Sequence, residues 1–166
     1  MKRLFSLLIF LLLLGCKQPE KNSTAGKVVK VADGDTFTLL NNNNQQVRVR
    51  LHGIDAPERG LDFGIVSRQK LSDLVFGKGV IVEEMDVDRY GRTVAIVYTA
   101  DGICVNEQLL KEGLAWHYKE YDSNEAWATM ERNAKKDKRG LWSQPKAVAP
   151  WQWRKDKRDA QTKKAA

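Results

Sequence analysis

The sequence predicts a small α+β domain that is mainly β, with helices packed against the strands. Several short segments are rich in β-branched residues or alternate between apolar and polar residues, which is the pattern of strands. Turns, and not repeated strand–helix–strand units, separate most of these segments, which argues against a parallel sheet. The chain has 166 residues, enough for one ordinary hydrophobic core and too few for two.

Five segments have strand patterns, and a single helical segment interrupts them. The loop NNNNQQ joins the second segment to the third and is typical of a hairpin connection. Five strands with one intervening helix favour a closed or partly open barrel of the five-stranded OB type. The predicted strands are residues 28–31, 36–40, 47–53, 79–87 and 93–104.

Three α-helices are predicted, one inside the series of strands and two after it. Asn106 and Ser123 stand where N-cap residues are expected, and Gly113 follows the second helix, as glycine often does at a helix end. The element order is therefore β-β-β-α-β-β-α-α. The predicted helices are residues 61–76, 106–113 and 123–138.

The N-terminus has the pattern of an export signal. Lys2 and Arg3 precede an apolar run over residues 4–14, about half of the roughly 20 residues that a membrane-spanning helix needs. The run ends in LLGC, and Gly15 before Cys16 resembles the bacterial lipobox, in which the cysteine receives a lipid and becomes the mature N-terminus. An ordinary signal peptide that contains a cysteine, or a retained signal anchor, is the alternative.

The chain is therefore expected to have four parts. We expect an exported monomer without an obligate protein partner, lipid-anchored to a bacterial membrane on its periplasmic or cell-surface face. The parts are a lipoprotein signal peptide (1–15), a polar tether that begins at the lipidated Cys16 (16–25), the folded domain (26–144) and a basic C-terminal tail (145–166).

The chain is basic, with a formal net charge of +7 at pH 7 that falls to +5 once Lys2 and Arg3 are removed. A basic balance favours polyanionic partners, although it also serves solubility alone. Cys104 is the only cysteine besides Cys16, so a lipidated chain has neither an intrachain disulfide nor a thiolate metal cluster. The basic C-terminal segment is expected to be a frayed helix or a tail, and it either contacts nucleic acid or anionic lipid or is simply solvated.

Acidic and basic side chains concentrate around the third predicted strand. Alternation along VRVRLHG puts Arg50 on the face opposite to the apolar one. Asp35 lies in a glycine turn before the second strand, and Asp55 and Glu58 follow the third. Such carboxylates suit a hard cation, Ca²⁺ or Mg²⁺, whereas two histidines and one thiol do not make a zinc site. An EF-hand over DVDRYGRTVAIV is excluded, because Val97 occupies the position of the bidentate glutamate.

Five motifs follow one another along the chain and together carry a resemblance. They are DGDT at 33–36, R-x4-DAPE from Arg50 to Glu58, DRYGR at 88–92, VNEQLLKEGLA and AKKDKRGLW. In this order they resemble the thermonuclease, or staphylococcal nuclease-like, family from about residue 26 to residue 143. The resemblance implies an OB-fold endonuclease whose partners are DNA and RNA, preferably single-stranded, and whose products carry 3′-phosphate and 5′-hydroxyl ends.

The resemblance also implies a site for one Ca²⁺ ion. Asp35 and Asp55, together with the backbone carbonyl of Ala56, would hold it. The family often has threonine in place of Ala56, but a carbonyl ligand survives that change. Asp33 would either support Asp35 from the outer shell of the site or stabilise the turn.

Catalysis is assigned by the resemblance to three side chains. Glu58 would be the general base that activates water, and Arg50 and Arg92 would bind the phosphate and stabilise the transition state. Attack on a phosphodiester adds negative charge to the phosphate oxygens, so a cation and two guanidiniums aimed at them lower the barrier. The planar fork of arginine donates two hydrogen bonds to a phosphate, which suits this role better than lysine does.

Four further residues are expected to contact the nucleotide. Arg89 and Tyr90 would contact phosphate and nucleotide, and Tyr118 or Tyr121 would stack on a base. A different class of function is the alternative, a non-catalytic, membrane-tethered OB-fold module that only binds nucleic acid. The expected residue types at five positions, Asp35, Arg50, Asp55, Glu58 and Arg92, favour the enzyme.

Overall fold

The computed structural model describes residues 22–165 and consists, over that range, of a closed five-stranded barrel with four α-helices. This architecture confirms the predicted α+β class and the OB-type barrel. The predicted signal peptide, Cys16 and the tether up to residue 21 lie outside the described residues.

Seven strands form two sheets in the described part of the chain. They are β1 (Ser23–Val31), β2 (Thr36–Asn41), β3 (Gln46–Leu51), β4 (Ile54–Asp55), β5 (Gly79–Val87), β6 (Thr93–Thr99) and β7 (Trp116–His117). The barrel has the order β1-β2-β3-β6-β5 and closes where β5 pairs with β1. Its pairs are antiparallel except for the parallel pair of β3 and β6. Strands β4 and β7 form a separate small sheet just beyond the end of β3.

The prediction of three helices is wrong by one, because a fourth helix forms in the basic C-terminal segment, which the sequence left open as a frayed helix or a tail. The helices of residues 22–165 are α1 (Gly64–Val75), α2 (Val105–Lys111), α3 (Glu125–Lys136) and α4 (Pro150–Ala165). Polar residues of α4 itself occupy most of its faces, so its sequence lacks the apolar stripe that marks a packed helix. None of the helices described is both long and apolar enough to cross a bilayer.

Two of the expected helix caps are placed differently in the structure. Asn124, not Ser123, caps α3, and its side-chain oxygen accepts hydrogen bonds from two backbone N–H groups of the first turn. Asn106 lies inside α2, which begins one residue earlier. Gly113 follows α2 with a φ of +66°, as expected for a glycine that ends a helix.

The barrel core forms from alternate residues of its strands. On β3, Val49 and Leu51 are buried, whereas Arg48 is exposed and Arg50 is half-buried. The predicted alternation is therefore confirmed, and it leaves the guanidinium of Arg50 on the side away from the apolar core. Burial of the large apolar side chains supplies the main driving force for folding. The largest of them include Phe37, Leu39, Leu51, Ile54, Leu71 and Leu109.

Asn106 is fully buried and joins α2 to β6 and to the residue that follows β3. Its side-chain oxygen accepts a hydrogen bond from the N–H of Val97 at 3.0 Å. Its amide nitrogen donates to the carbonyl of His52 at 2.9 Å and to that of Ala95 at 3.3 Å. The side chain thereby satisfies backbone groups that water does not reach.

Replacing Asn106 with alanine should destabilise the protein by about 2 kcal/mol or more, because it leaves buried backbone groups without partners. Urea unfolding followed by circular dichroism measures the loss. Asn43→Ala, in the exposed hairpin turn, is the control and should change the free energy of unfolding by less than about 0.5 kcal/mol. Equal stabilities of the two variants would contradict this role for Asn106.

Candidate active site

The turn before β2 and the segment after β3 meet at one end of the barrel. The backbone N–H of Leu51 donates to the carbonyl of Asp35 at 2.8 Å, which fixes the end of β3 to this turn. A Cβ atom on Gly34 would lie only 2.7 Å from the Cβ of Ala56 and 2.8 Å from that of Ser67. Glycine is therefore required here, and it brings Asp35 against the segment that contains Asp55.

The guanidinium of Arg50 bridges the two carboxylates that the sequence predicts as metal ligands. Nη1 of Arg50 lies 3.0 Å from Oδ2 of Asp35, and Nη2 lies 3.0 Å from Oδ1 of Asp55. The side chain of Asp55 is fully buried and that of Asp35 is 6% exposed. Two carboxylates that lie twenty positions apart in the sequence thus share the guanidinium of Arg50.

Negative charge is concentrated in this part of the site. Burial and the charge of Asp35 raise the pKa of Asp55, although hydrogen bonds from Arg154 oppose the shift. Burial also acts to raise the pKa of Asp35, but the charge of Arg50 and the N–H of Ala56 outweigh it, so this pKa is lowered. Burial and repulsion by Asp35 raise the pKa of Asp33 to about 7. Close carboxylates with such shifts favour the binding of additional positive charge.

Asp33 acts within the turn. Its Oδ1 accepts a hydrogen bond from the backbone N–H of Asp35 at 3.2 Å. Of the two roles that the sequence left open for Asp33, this contact supports the stabilisation of the turn. The side chain thereby helps to set the direction of the Asp35 carboxylate.

Arg92 reaches the same cluster from the turn between β5 and β6. Asp88 holds its guanidinium through one carboxylate oxygen, with contacts of 2.7 Å to Nε and Nη2. Nη1 of Arg92 donates to Oγ1 of Thr36 at 3.4 Å, and that hydroxyl donates to Asp35 at 2.9 Å. Burial acts to raise the pKa of Asp88, but the hydrogen bonds from Arg92 keep this pKa below its ordinary value. The carboxylate that holds Arg92 therefore stays charged.

Glu58 lies at the edge of the cluster, where water has access. Its side chain is 35% exposed, and its backbone carbonyl accepts a hydrogen bond from the N–H of Leu61 at 2.8 Å. A Cβ atom on Gly64 would overlap that carbonyl, so glycine is needed for α1 to begin this close to Glu58. The start of α1 therefore sets the position of the predicted general base.

Sequence reasoning missed Arg154, which enters the site from α4. Its Nη2 lies 2.6 Å from Oδ2 of Asp55, and its Nη1 lies 2.8 Å from Oε1 of Glu58. Arg154 follows two tryptophans in the segment WQWR, whose aromatic character is unusual for a solvated tail. That pattern was the one available signal that this segment packs against the domain.

The predicted nucleotide-contacting residues form two groups. Arg89 and Tyr90 lie in the turn between β5 and β6, with the guanidinium 4.9 Å from the centre of the tyrosine ring. Tyr118 and Tyr121 contact each other edge to face at 4.8 Å. Trp151 of α4 stacks on Tyr118, with ring centres 4.9 Å apart and planes 8° from parallel.

The donors at this site fit a hard divalent cation in chemical type. Residues 22–165 contain no group of three or more Asp, Glu, His or Cys side chains arranged as metal ligands. The set consists of two carboxylates, Asp35 and Asp55, beside the backbone of Ala56, whose N–H donates to Asp35 at 3.1 Å. Ca²⁺ accepts carboxylate, carbonyl and water oxygens, so these donors suffice when water completes the shell.

A protein family described as Staphylococcal nuclease homologue matches residues 48–144, more than half of the chain. The match includes the positions of Arg50, Asp55, Glu58 and Arg92. The chain belongs to the staphylococcal nuclease family. It is therefore a nuclease, an enzyme that hydrolyses phosphodiester bonds.

Relatives with related names resemble this nuclease over most of their length. A Haemophilus influenzae protein named Uncharacterized endonuclease is 41% identical over 152 residues, which is 92% of this chain and 83% of the relative. An Escherichia coli O157:H7 protein of the same name is 42% identical over 129 residues, covering 78% of this chain and 84% of the relative. A Shigella flexneri protein named Micrococcal nuclease is 41% identical over 145 residues, covering 81% and 83%.

Asp88→Asn should lower the rate of nucleic-acid cleavage by this nuclease by roughly tenfold to a hundredfold, because it displaces the guanidinium of Arg92, which the sequence predicts to bind the phosphate. Asparagine keeps an oxygen for the turn N–H groups of Tyr90 and Arg92 but replaces the carboxylate that holds the guanidinium. Steady-state cleavage and thermal unfolding should be measured together. Asp86→Asn, at an exposed position of β5 two residues before Asp88, is the control. Full activity of Asp88→Asn would show that Arg92 needs no such partner.

Proposed function

We propose that this nuclease is a Ca²⁺-dependent endonuclease that cleaves DNA and RNA to 3′-phosphate and 5′-hydroxyl ends. The observation that carries the proposal is the bridge from Arg50 to both Asp35 and Asp55. Glu58 and Arg92 lie at the same end of the barrel and are linked to the same carboxylates through Arg154 and Thr36. A base, phosphate-binding guanidiniums and hard oxygen donors are thereby brought together.

Asp35, Asp55 and the carbonyl of Ala56 are the proposed ligands of one ion. When bound, Ca²⁺ supplies positive charge that polarises a phosphoryl oxygen and favours attack by water. The two aspartates differ in burial from Glu58, which is the most exposed carboxylate of the three. Buried carboxylates are suited to hold an ion, whereas an exposed one is suited to meet water.

Glu58 is proposed to accept a proton from the attacking water. Its carboxylate has access to solvent and is not tied to a backbone donor by any described hydrogen bond. Arg50 and Arg92 are proposed to donate hydrogen bonds to the equatorial oxygens of the phosphate. Both guanidiniums are largely buried and held by carboxylates, so little reorganisation is needed as charge develops.

Single-stranded nucleic acid is the proposed substrate form, because an unstacked base can reach an aromatic side chain. Tyr118 or Tyr121 would stack on the base, and Arg89 and Tyr90 would contact the strand beside the scissile phosphate. Tyr90 and Tyr121 are 65% and 63% exposed, so both rings are accessible. The names of the relatives, endonuclease and micrococcal nuclease, support a nucleic-acid substrate.

Export with lipid attachment at Cys16 is proposed as the route by which the enzyme reaches extracytoplasmic nucleic acid. The proposal rests on the LLGC motif and on the polar segment that follows it. The alternative of a non-catalytic binding module is disfavoured by family membership together with the retained Glu58.

Glu58→Gln should lower cleavage of denatured DNA and of RNA by roughly a hundredfold to ten-thousandfold, because the amide cannot take a proton from water. The full-length protein is assayed with Ca²⁺, with Mg²⁺ alone and with a chelator, and the ends of the products are identified. Glu125→Gln, whose side chain is 87% exposed on α3, is the control and should keep full activity. Cleavage that persists in the chelator, or equal rates for Glu58→Gln and wild type, would refute the proposed mechanism.

A further inference from the structure

Helix α4 covers the proposed active site with two side chains that lie one helical turn apart. Arg154 contacts Asp55 and Glu58, and Trp151 stacks on Tyr118. Residues at i and i+3 share one face of a helix, so a single docking of α4 places both side chains. The two contacts involve two different parts of the site, the carboxylates of Asp55 and Glu58 and the ring of Tyr118.

Arg154 occupies the oxygen atoms that the proposed chemistry requires. Its guanidinium donates to both oxygens of Asp55, with Nη2 at 2.6 Å from Oδ2 and Nη1 at 3.4 Å from Oδ1. Nη1 also donates to Glu58 at 2.8 Å. A cation bound to Asp55 and a water bound to Glu58 would need these same oxygens. The guanidinium of Arg154 therefore occupies the position where the bound cation would supply positive charge.

Trp151 occupies the surface on which a base is expected to stack. Its ring is nearly parallel to that of Tyr118, and it also makes an edge contact with Trp116 at 6.5 Å. Tyr121 contacts the ring of Tyr118 edge to face. An indole stacked in this way has the geometry of a nucleobase on an aromatic side chain. The base site and the cation site are thus covered together.

The attachment of α4 is suited to release. Beyond Lys157 the helix is exposed, and its described contacts to the domain are concentrated in its first two turns. The exposed part carries Arg158 and lysines, which nucleic-acid phosphates attract. A divalent ion with twice the charge of a guanidinium competes for the same carboxylates. Ca²⁺ and nucleic acid, the two ligands of the proposed reaction, therefore both favour the undocked helix.

We propose that α4 is an autoinhibitory cap, in which Arg154 and Trp151 occupy the sites of the catalytic cation and of a nucleotide base until Ca²⁺ and substrate displace them. This inference rests on the proposed function, because it takes Asp55 as a ligand and Glu58 as the base. The donors of Arg154 are directed at carboxylates that the reaction uses. Arg50 also contacts the two aspartates, but among the described contacts only Arg154 holds the proposed base Glu58 as well.

The test is the affinity of the full-length protein for Ca²⁺, measured by calorimetry without nucleic acid. A cap that is closed for most of the time lowers the apparent affinity in proportion to the closed fraction. Arg154→Ala should therefore bind Ca²⁺ about tenfold or more tightly than wild type. Trp151→Ala removes no charge, yet it should also raise the affinity, because it weakens docking of the helix that carries Arg154.

Arg158→Ala is the matched control, since it removes the same charge from an exposed position of α4. Its Ca²⁺ affinity should stay within about twofold of wild type. Amide hydrogen exchange of residues 150–164 supplies a second readout that does not depend on activity. Adding Ca²⁺ to wild type should accelerate exchange in this segment, and Arg154→Ala should show fast exchange already without Ca²⁺.

The outcomes separate the cap from the proposed function. Equal Ca²⁺ affinities of wild type, Arg154→Ala and Trp151→Ala would overturn the cap and leave the calcium-dependent nuclease intact. A gain in Ca²⁺ affinity in Arg154→Ala but not in Trp151→Ala would also overturn the cap, because removal of a local charge explains that result. Slower cleavage by Arg154→Ala at saturating Ca²⁺, with unchanged affinity, would make Arg154 a substrate-binding residue instead. Absence of Ca²⁺ binding in every variant would refute both proposals.

Discussion

The guanidinium of Arg50, held between Asp35 and Asp55, is the interaction on which the rest of the site depends. Without it, two buried carboxylates would face each other in a region with little solvent, where their repulsion is weakly screened. We propose that the same guanidinium binds the phosphate. On that proposal, one interaction both stabilises the folded loops and prepares an electrostatic site for an anion whose charge grows during the reaction.

The barrel makes this arrangement possible because it fixes the ends of strands that are distant in sequence. Strand β3 carries Arg50, the turn into β2 carries Asp35, and the parallel pairing of β3 with β6 brings Arg92 to the same end. Asp35, Asp55 and Glu58 each contact an arginine, and each arginine of the site is held by more than one contact. The described cluster is thus a network, in which positive groups from three segments compete for a limited set of oxygens.

Much of this arrangement follows from local sequence, and the remainder depends on long-range packing. Arg50, Asp55 and Glu58 lie within one short segment, so alternation and turn signals place them correctly. The assignment of Asn106 as a helix cap was wrong, because a buried amide and an exposed cap look alike in a single sequence. Arg154 lies 99 residues from Asp55 and belongs to a helix without an apolar stripe, so no periodicity marks it. Its docking is accompanied by contacts of Trp151 with Trp116 and Tyr118, which lie in and directly after β7 and meet α4 only in the folded chain.

We propose that Asp35 and Asp55 form a cation site when the protein is free of substrate. The deciding experiment is calorimetric titration of Ca²⁺ into full-length wild type, Asp35→Asn and Asp55→Asn, with circular dichroism to show that each variant is folded. We expect wild type to bind one ion per chain and both variants to lose at least tenfold in affinity. Folded variants that bind one ion as tightly as wild type would contradict it.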